Sequence, residues 1–500
     1  MRICHISDTH ISLGAEFQRE TFEQTIKKIN SEDFDLVIHS GDLTTSGILE
    51  EYKEARRLTE KIRHPLVIIP GNHDARNGGI SIFSEVIGAP SGVIEMEDAV
   101  ITYADSAIPD SNQGRVGTIS FRMLQDALGK HQDKAVKIVL IHHHVVPIPM
   151  AGRERNVLSN AGDILNLLLQ YDVDLVLSGH RHYPNVHKVE RTLFINAGTF
   201  SSSKTRYGDV NSYGIIEIEG ERFRLTTRRV NGESKVQQFF MGKPKVFKDL
   251  GSRKYRIAHV SNTFITDSHV FLKNHFENAI RSINQFKPDI VAHCGGIVYR
   301  GIPHDYHLAA KMLKTIESPV IFAPGGRDIN YLGYYLFNKY FGVVDQERSN
   351  GEILIKSILS AQYDSRNGMV GPIERDNLVR ELRKAEEGLK CLMLHHNIIP
   401  IPHSREKGLL EDSGDFLREV VDSKVDLVLT GTSSHPFAVR VGQTLVVNAN
   451  SLSSIYQRSI NGNSYNLIDI FEKGIMVSEV NSLWGRRKMV GLWPVKGEKY

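Results

Sequence analysis

The chain has 500 residues, of which 41% are hydrophobic and 24% charged, the composition of an ordinary globular protein with two or more domains. Its formal net charge of +3 is too small to indicate a membrane partner, and it does not decide whether the protein binds nucleic acid. The widely separated Cys4, Cys294 and Cys391 match no thiolate metal spacing, and we expect reduced, buried thiols. No apolar run approaches the roughly 18 residues of a membrane span. Because Arg2 already opens a strand, we expect no signal peptide and a cytoplasmic protein.

The first 230 residues alternate strands with helices and then continue as strands alone. Apolar periodicity predicts helices at 19–30, 49–62, 119–128 and 157–171. It predicts strands at 2–7, 34–39, 66–69, 100–104, 136–141, 173–177, 186–189, 193–196, 213–218 and 222–229. This order is typical of two stacked sheets with helices outside them.

The chain then repeats itself at a nearly constant offset. Pro70-Gly-Asn-His-Asp74 returns 254 residues later as Pro324-Gly-Gly-Arg-Asp328, and His142-His-His-Val-Val-Pro147 returns 253 residues later as His395-His-Asn-Ile-Ile-Pro400. A repeat of this length indicates a duplicated domain rather than a solenoid unit. We therefore predict domains at 1–230 and 255–485, a connector at 231–254 that lacks clear periodicity, and an exposed tail at 486–500.

In the first copy, a polar cluster follows each of five short apolar runs. The clusters are Asp8-Thr-His10, Gly41-Asp42, Gly71-Asn-His-Asp74, His142-His-His144 and Gly179-His-Arg-His182. Because open α/β sheets place ligand sites at the carboxyl ends of their strands, we expect these side chains to converge.

Two Asp, one Asn and four His supply oxygen and nitrogen ligands without a thiolate. Such a set suits Mn, Fe, Co, Ni or Zn, and the sequence does not choose among them. Seven ligands are too many for one tetrahedral ion. They predict two divalent metal ions that share a carboxylate and lie about 3.5–4 Å apart.

The second copy differs at the ligand positions while keeping its apolar strand patterns. Of the metal-ligand positions, only His142 persists, as His395. The replacements are Asn262 for Asp8, Phe264 for His10, Gly296 for Asp42, Gly326 for Asn72, Thr432 for His180 and Ser434 for His182. We therefore predict a degenerate second domain without metal ligands, which would be a pseudo-enzyme.

The order of the five motifs resembles the calcineurin-like metallophosphoesterases over roughly residues 2–230. Asp105-Ser106, Pro109 and Gly114-Arg-Val-Gly117 further resemble the branch with class III cyclic-nucleotide and glycerophosphodiester phosphodiesterases. The resemblance implies an α/β fold, a four-layer αββα sandwich, here in two tandem copies. It implies phosphodiester hydrolysis of nucleotide or glycerophosphodiester type by a hydroxide that bridges the metals.

The resemblance also assigns roles to residues. Asp8, His10, Asp42 and His182 would hold one metal, while Asp42, as the bridge, Asn72, His142 and His180 would hold the other. His142 is preferred to His143 because family members place the ligand five residues before the proline that matches Pro147. Asp42 and His73 are the predicted catalytic residues. Asn72 and His73 would contact the phosphate, and His73 would protonate the leaving alkoxide.

One position departs from the family pattern. Relatives often have a carboxylate three residues after the bridging Asp, which orients the histidine that matches His73, and here that position is Thr45. Asp74 or Asp105 would substitute for it, or His73 would act only as an electrostatic stabiliser.

Other positions keep two interpretations. His143 persists as His396, so it either packs or contacts substrate, and Arg153 either binds substrate phosphate or lies in a solvated loop. His39 and its counterpart His293 are predicted to be core or supporting histidines. Arg327, in the place of His73, either binds an anion or belongs to a domain that only buries surface.

Two alternatives about function also stay open at this point. The alternative activities are a phosphomonoesterase or a nuclease that uses the same site. A binding or scaffold protein is the alternative of a different class, favoured for the second domain by its lost ligands. The expected partner is a phosphate-ester substrate, and the second domain would pack on the first as a pseudo-dimer.

Overall fold

The computed structural model describes residues 1–150, 157–242, 249–385, 388–404 and 408–495. The described residues form two compact units, one within residues 1–242 and the other within residues 249–495. All three cysteines are buried and unpaired, as expected. Within the described ranges, no helix has both the length and the apolar character that a membrane crossing requires.

The first unit alternates strands and helices up to β7 and ends in strands. Its helices are α1 (Arg19–Ile29), α2 (Leu49–Thr59), α3 (Gly79–Val86), α4 (Thr118–Lys130) and α5 (Ala161–Gln170), with a 3-10 turn at Arg76–Gly78. Its strands are β1 (Arg2–Ile6), β2 (Leu36–His39), β3 (Leu66–Ile68), β4 (Gly92–Glu95), β5 (Ala99–Tyr103), β6 (Val136–Leu140), β7 (Leu175–Ser178), β8 (Asn185–Val189), β9 (Thr192–Asn196), β10 (Ser212–Glu219), β11 (Arg222–Arg229) and β12 (Ser234–Phe240).

Two mixed sheets organise this unit. One has the order β12-β11-β10-β1-β2-β3, in which β1, β2 and β3 run parallel and place Cys4 opposite Val37. The other runs β8-β9-β7-β6-β5-β4, with β5, β6, β7 and β9 parallel. Parallel strands end at the same edge, so the loops that follow β1, β2, β3, β6 and β7 are in position to form one site.

Alternation along β1 separates two apolar layers, because successive strand residues point to opposite faces. Ile3 faces the second sheet and packs in a cluster that includes Ile138 and Leu175. Cys4 faces outward into a second cluster with residues of α1, α2 and α3, among them Phe22 and Tyr52. With α4 packed on β5, the first unit is the expected αββα sandwich.

The second unit repeats this order of elements. Its helices are α6 (Lys273–Phe286), α7 (Pro303–Leu313), α8 (Gly326–Ile329), α9 (Gly333–Phe341), α10 (Pro372–Lys384) and α11 (Ser413–Asp422). Its strands are β13 (Arg253–Val260), β14 (Ile290–His293), β15 (Val320–Phe322), β16 (Glu347–Ser349), β17 (Ile353–Ser357), β18 (Leu389–Met393), β19 (Leu427–Thr430), β20 (Phe437–Val441), β21 (Thr444–Asn448), β22 (Ser464–Phe471), β23 (Gly474–Asn481) and β24 (Arg487–Pro494).

The sheets of the second unit also match those of the first. They have the orders β15-β14-β13-β22-β23-β24 and β16-β17-β18-β19-β21-β20. Ile257, Ile290 and Leu427 pack between the two sheets, and Phe276 and Tyr306 pack with the helices on the outer face of the first of them. The chain is thus two copies of one sandwich.

Two predictions about the ends of the domains are wrong. The predicted connector at 231–254 contains β12, which pairs antiparallel with β11, and the predicted tail at 486–500 contains β24, which pairs with β23. Both strands lie at a sheet edge and are mostly exposed, so neither needs the apolar alternation that marks a half-buried strand. The sequence interpretation also missed α3 and β4.

Candidate active site

The loops at the shared strand edge of the first unit carry all seven predicted ligands. Asp8 and His10 follow β1, Asp42 follows β2, and Asn72 follows β3. His142 follows β6, and the other two, His180 and His182, follow β7. Six of the seven are buried, and His180 is half-buried. The predicted convergence of these side chains is confirmed.

One group of ligand atoms lies around Asp8. Asp8, His10, Asp42 and His182 offer atoms that all lie within 4.8 Å of one another. His182 Nε2 is 3.2 Å from Asp8 Oδ1 and 3.0 Å from His10 Nε2, and His10 Nε2 is 3.9 Å from Asp42 Oδ2. This is the set predicted for the first metal.

A second group of ligand atoms shares Asp42. His142 Nε2 is 3.4 Å from Asp42 Oδ2, and His180 belongs to the same cluster. Asn72 Oδ1 lies 2.8 Å from His180 Nδ1 and 3.2 Å from His142 Nε2. Asn72 Nδ2 donates to Asn112 Oδ1 at 3.2 Å, which turns the amide oxygen toward the histidines. This is the set predicted for the second metal.

Main-chain carbonyls orient two of the histidine ligands. His142 Nδ1 donates to Ser40 O at 2.8 Å, and His182 Nδ1 donates to Lys204 O at 2.6 Å. Each ring therefore presents Nε2 to the carboxylates, as a metal-binding histidine does when its other nitrogen is engaged. Main-chain partners of this kind leave no trace in side-chain identity, so the sequence motifs did not point to them.

The donor set fits a pair of divalent cations. Asp8 and Asp42 are buried carboxylates, and the ligand atoms around them are acceptors or imidazole nitrogens. Buried carboxylates this close together require compensating positive charge. Oxygen and imidazole ligands suit borderline divalent metals, and the shared Asp42 suits two of them.

Strained backbone marks the same residues. Asp8, His10, Asp42, His180 and His182 all have left-handed φ, at 52°, 47°, 53°, 75° and 56° respectively. Each non-glycine residue in this region costs about 1–3 kcal/mol, and such residues cluster at functional sites. The fold therefore sacrifices stability to aim these five side chains at one point.

Gly71 is a close-approach position beside the shared carboxylate. A Cβ there would lie 2.8 Å from Asp42 Cγ, well inside contact distance. Only a residue without a side chain allows the β3 loop to pass so near to Asp42. The glycine in the Gly-Asn-His-Asp motif thus keeps the shared carboxylate in place.

Electrostatics favours ionised Asp42. Burial opposes charge on this carboxyl, but the charge and hydrogen bond of His142 outweigh it and hold the pKa of Asp42 well below its usual range. Against its own burial, His142 has its pKa raised to about 9, chiefly by Asp42. Burial lowers the pKa of His10 and His180 well below the usual value, which keeps both rings in the neutral form that binds metals.

His73 lies beside the ligands and is oriented by the main chain. Its backbone N donates to Asp42 Oδ1 at 2.8 Å, and its ring Nδ1 donates to Thr45 O at 2.8 Å. Thr45 stands where relatives often have a carboxylate, and it therefore orients His73 through its main-chain carbonyl instead. Arg76 Nη2 lies 3.2 Å from His73 Nε2 and 3.2 Å from Asn112 Oδ1. Neither Arg76 nor Asn112 belongs to a motif that predicts a role in the site.

Asp74 and Asp105 do not replace the missing carboxylate. Asp74 accepts hydrogen bonds from the backbone N of Leu43, Thr44 and Gly71 at 2.8–2.9 Å. Asp105 Oδ1 accepts from the backbone N of Ala107, which lies on its own loop. Among the described residues, neither carboxylate bonds to His73, so both alternatives are wrong.

The other predicted residues have different outcomes. His143 is 1% exposed and its Nδ1 lies 2.8 Å from Ser106 Oγ, as its counterpart His396 contacts Ser360 Oγ in the second unit. A contact kept in both units favours packing over substrate binding. Arg153 lies outside the described residues.

His39 is a supporting residue, as predicted. Its Nε2 lies 3.0 Å from Thr9 Oγ1, and its Nδ1 accepts from the backbone N of Gly41. The counterpart His293 contacts Thr263 Oγ1 at 3.1 Å. The histidine thus fixes the β1 loop in both units.

The second unit has no comparable ligand cluster at the equivalent place within its described residues. Asn262 Nδ2 donates to Gly431 O at 2.6 Å, and Asn262 and Phe264 keep the left-handed φ of the residues they replace. The described part of the second unit does contain a group of side chains that could hold a metal, namely Asp267, His304 and Asp305 near α7. Arg300 already pairs with both of its carboxylates, at 2.6 and 2.7 Å.

Proteins of known family resemble this chain. The model of the calcineurin-like phosphoesterase family matches residues 1–184 and 262–431. A probable cyclic nucleotide phosphodiesterase of Ruthia magnifica subsp. Calyptogena magnifica is 28% identical over 180 residues, which cover 36% of this chain and 75% of that protein. A probable glycerophosphodiester phosphodiesterase, GpdQ, of Arcobacter nitrofigilis is 30% identical over 209 residues, or 39% of this chain and 74% of that protein.

A solved structure of a dimetal phosphatase from Danio rerio aligns with a TM-score of 0.40 and 8% identity, over 49% of this chain and 100% of that one. The family model, by contrast, matches well over half of the chain and falls on both repeats. The chain therefore belongs to the calcineurin-like phosphoesterase family, and it is a hydrolase of phosphoric esters.

Proposed function

We propose that the first unit hydrolyses phosphodiesters of nucleotide or glycerophosphodiester type with two divalent metal ions. The observation that carries this proposal is the pair of ligand groups that meet at Asp42. Asp8, His10 and His182 would hold one ion with Asp42, while Asn72, His142 and His180 would hold the other. When bound, such ions neutralise phosphate charge and acidify a water molecule.

The chain's own residues prepare the site for a phosphate. His73 is fixed at two points, by its backbone bond to Asp42 and its ring bond to Thr45, so its Nε2 edge has a defined direction. Arg76 approaches that edge, and no ion pair involves it among the described residues. A guanidinium in this position is suited to bind a phosphate oxygen. His73 would then face the leaving oxygen and Arg76 the phosphate.

We place one of the two ester groups in a cavity whose lining includes Tyr183, the residue after the ligand His182. It has a volume of about 410 Å³, and its lining includes Met150, Tyr183, Tyr207 and Arg229. Tyrosine faces can stack on a base, and the polar groups can bind a sugar or glycerol. This favours a diester with a sizeable substituent, in agreement with the activities named for the two relatives.

The test is hydrolysis of bis(p-nitrophenyl) phosphate with added Mn²⁺ by wild type, His142→Ala and His395→Ala. The two histidines are matched, because each follows the equivalent strand and donates through Nδ1 to a carbonyl at 2.8 Å. We expect His142→Ala to lose at least 99% of turnover and His395→Ala to keep it.

Equal turnover by wild type and His142→Ala would contradict the proposed site. Loss of activity in both variants would show that the second unit takes part in the chemistry. A parallel panel of p-nitrophenyl phosphate, cyclic AMP, glycerophosphocholine and single-stranded DNA distinguishes diesterase from phosphomonoesterase and nuclease activity.

A further inference from the structure

The place of the metal centre in the second unit holds an aromatic cluster. Phe264 stands where the first unit has His10, Tyr299 where it has Thr45, and Tyr456 where it has Lys204. Tyr299 and Tyr456 stack with ring centroids 6.3 Å apart, and Phe264 meets each of them at 6.2 Å. Three rings in mutual contact therefore occupy the place that polar residues hold in the first unit, and we call them, together with Arg327, the aromatic site.

The charge at the aromatic site is reversed as well. Both carboxylates of the first site are lost, because Asn262 and Gly296 replace them. Arg327 adds a cation at the His73 position, while Asn330 stands at the Arg76 position. The first site is anionic and requires cations, whereas the aromatic site has a fixed cation and no acidic group at the ligand positions. Its chemistry selects an anion.

The cation is held in place and remains available. The Arg327 guanidinium lies 4.6 Å from the ring centroid of Tyr299 and 5.4 Å from that of Phe264. Arg327 is exposed, and within the described part of the chain it takes part in no ion pair. Arg327 Nη1 also donates to Tyr299 O at 3.4 Å. The cation–π contacts and this hydrogen bond orient the guanidinium and leave its other N–H groups for a phosphate.

Burial lowers the pKa of the neighbouring His395 to about 4, and Arg327 lowers it too. That ring is therefore neutral at pH 7 and adds no charge to the aromatic site. The positive charge that a ligand meets there comes from Arg327 itself.

Further tyrosines follow Arg327 in the chain or lie on a neighbouring loop: Tyr331 precedes α9, Tyr335 is on α9, and Tyr363 is on the loop between β17 and α10. Tyr331, Tyr335 and Tyr363 are 83%, 66% and 58% exposed, and the first unit has Asn77, Ser81 and Pro109 at these positions. The segment of Tyr331 and the loop of Tyr363 are connected, because the Tyr331 backbone N donates to Oδ1 of Asp364, the residue after Tyr363, at 3.2 Å. Exposed aromatic faces beside a phosphate-binding cation are the arrangement that binds a nucleotide base.

We propose that the second unit binds a nucleoside monophosphate, with the phosphate on Arg327 and the base against the exposed tyrosines. The site needs no metal, and no hydrolysis is expected there, since the ligands that catalysis requires are replaced. The proposal stands on the residues of the second unit and does not depend on the substrate of the first.

The test is calorimetric titration of the full chain with AMP in the presence of a chelator. Wild type is expected to bind one AMP per chain, and Arg327→Gln to bind it at least tenfold more weakly, which corresponds to about 1.4 kcal/mol. Arg380→Gln is the matched control, because Arg380 is an exposed arginine on α10 that makes no ion pair within the described residues. It should bind AMP as wild type does.

Two further arms assign the parts of the ligand. Tyr331→Ala should weaken the binding of AMP and leave the binding of inorganic phosphate unchanged. Adenosine should bind to wild type more weakly than AMP does. Circular dichroism of Arg327→Gln and Tyr331→Ala checks that both fold. Undiminished AMP binding by Arg327→Gln, no AMP binding by wild type up to millimolar concentration, or equal binding of adenosine and AMP would overturn the proposal.

Discussion

Replacing Gly71 by Ala tests how strictly the shared carboxylate must be placed. The added Cβ would lie 2.8 Å from Asp42 Cγ, and ordinary contact begins at 3.4 Å. Asp42 cannot simply turn aside, because its Oδ1 accepts the His73 backbone N–H and its φ is already strained at 53°. Asp42 Oδ1 and the Asp42 backbone N would lie closer still to this Cβ. Asp42 must therefore retreat by roughly 1 Å, and a displacement of that size costs about 100-fold in rate.

The assay is turnover of bis(p-nitrophenyl) phosphate with saturating Mn²⁺, with thermal unfolding measured on the same samples. Gly325→Ala is the matched control, because its Cβ would lie 2.8 Å from the His395 ring at the equivalent place. We expect Gly71→Ala to lose about 100-fold in turnover and Gly325→Ala to lose little. Full activity of Gly71→Ala would refute the reasoning that Asp42 needs this exact position.

Three more substitutions probe separate parts of the account. Arg76→Gln removes a cation from the phosphate position and should lower kcat/KM by about 10- to 100-fold, the value of a charged hydrogen bond. Tyr183→Ala removes a wall of the 410 Å³ cavity. It should lower kcat/KM for cyclic AMP about tenfold, since stacking is worth about 1–3 kcal/mol per base, and should spare glycerophosphocholine. Asp328→Asn disturbs four backbone donors at 2.7–3.0 Å and should destabilise the second unit by about 3 kcal/mol.

Steady-state kinetics measures the first two variants, and urea unfolding measures the third. Arg63→Gln is a control for Arg76→Gln, because it removes an exposed arginine that makes no ion pair within the described residues. Unchanged kinetics in Arg76→Gln would remove Arg76 from the phosphate site. A parallel loss of both substrates in Tyr183→Ala would mean that the cavity does not select the base. A wild-type urea midpoint in Asp328→Asn would show that its four hydrogen bonds add no net stability.

The convergence of the metal ligands could be predicted because each ligand directly follows an apolar strand. Parallel strands bring their carboxyl ends to one edge, so the positions of Asp8, Asp42 and His142 in the sequence already specify a common site. The duplication was equally readable, since the apolar runs survive where the ligands do not. Side-chain identity and strand order are therefore sufficient to predict most of the site.

What escaped prediction depends on the main chain or on sheet edges. The carbonyls of Thr45, Ser40 and Lys204 orient His73, His142 and His182. Any residue type supplies such a carbonyl, so no motif identifies it. The sequence pattern predicts a connector and a tail at the edge strands β12 and β24, because an exposed edge strand needs no apolar alternation. The two strands occupy equivalent places in the two repeats, and that equivalence is the sequence signal that could have identified them.

The most direct test of the central claim is to locate the metal ions themselves. Crystals grown with Mn²⁺ and measured for anomalous scattering should show two peaks in the first unit, one between Asp8, His10 and His182 and the other between Asn72, His142 and His180, with Asp42 reaching both. No peak should appear beside His395. A metal pair in the second unit, or a first unit without metal at saturating Mn²⁺, would contradict the account.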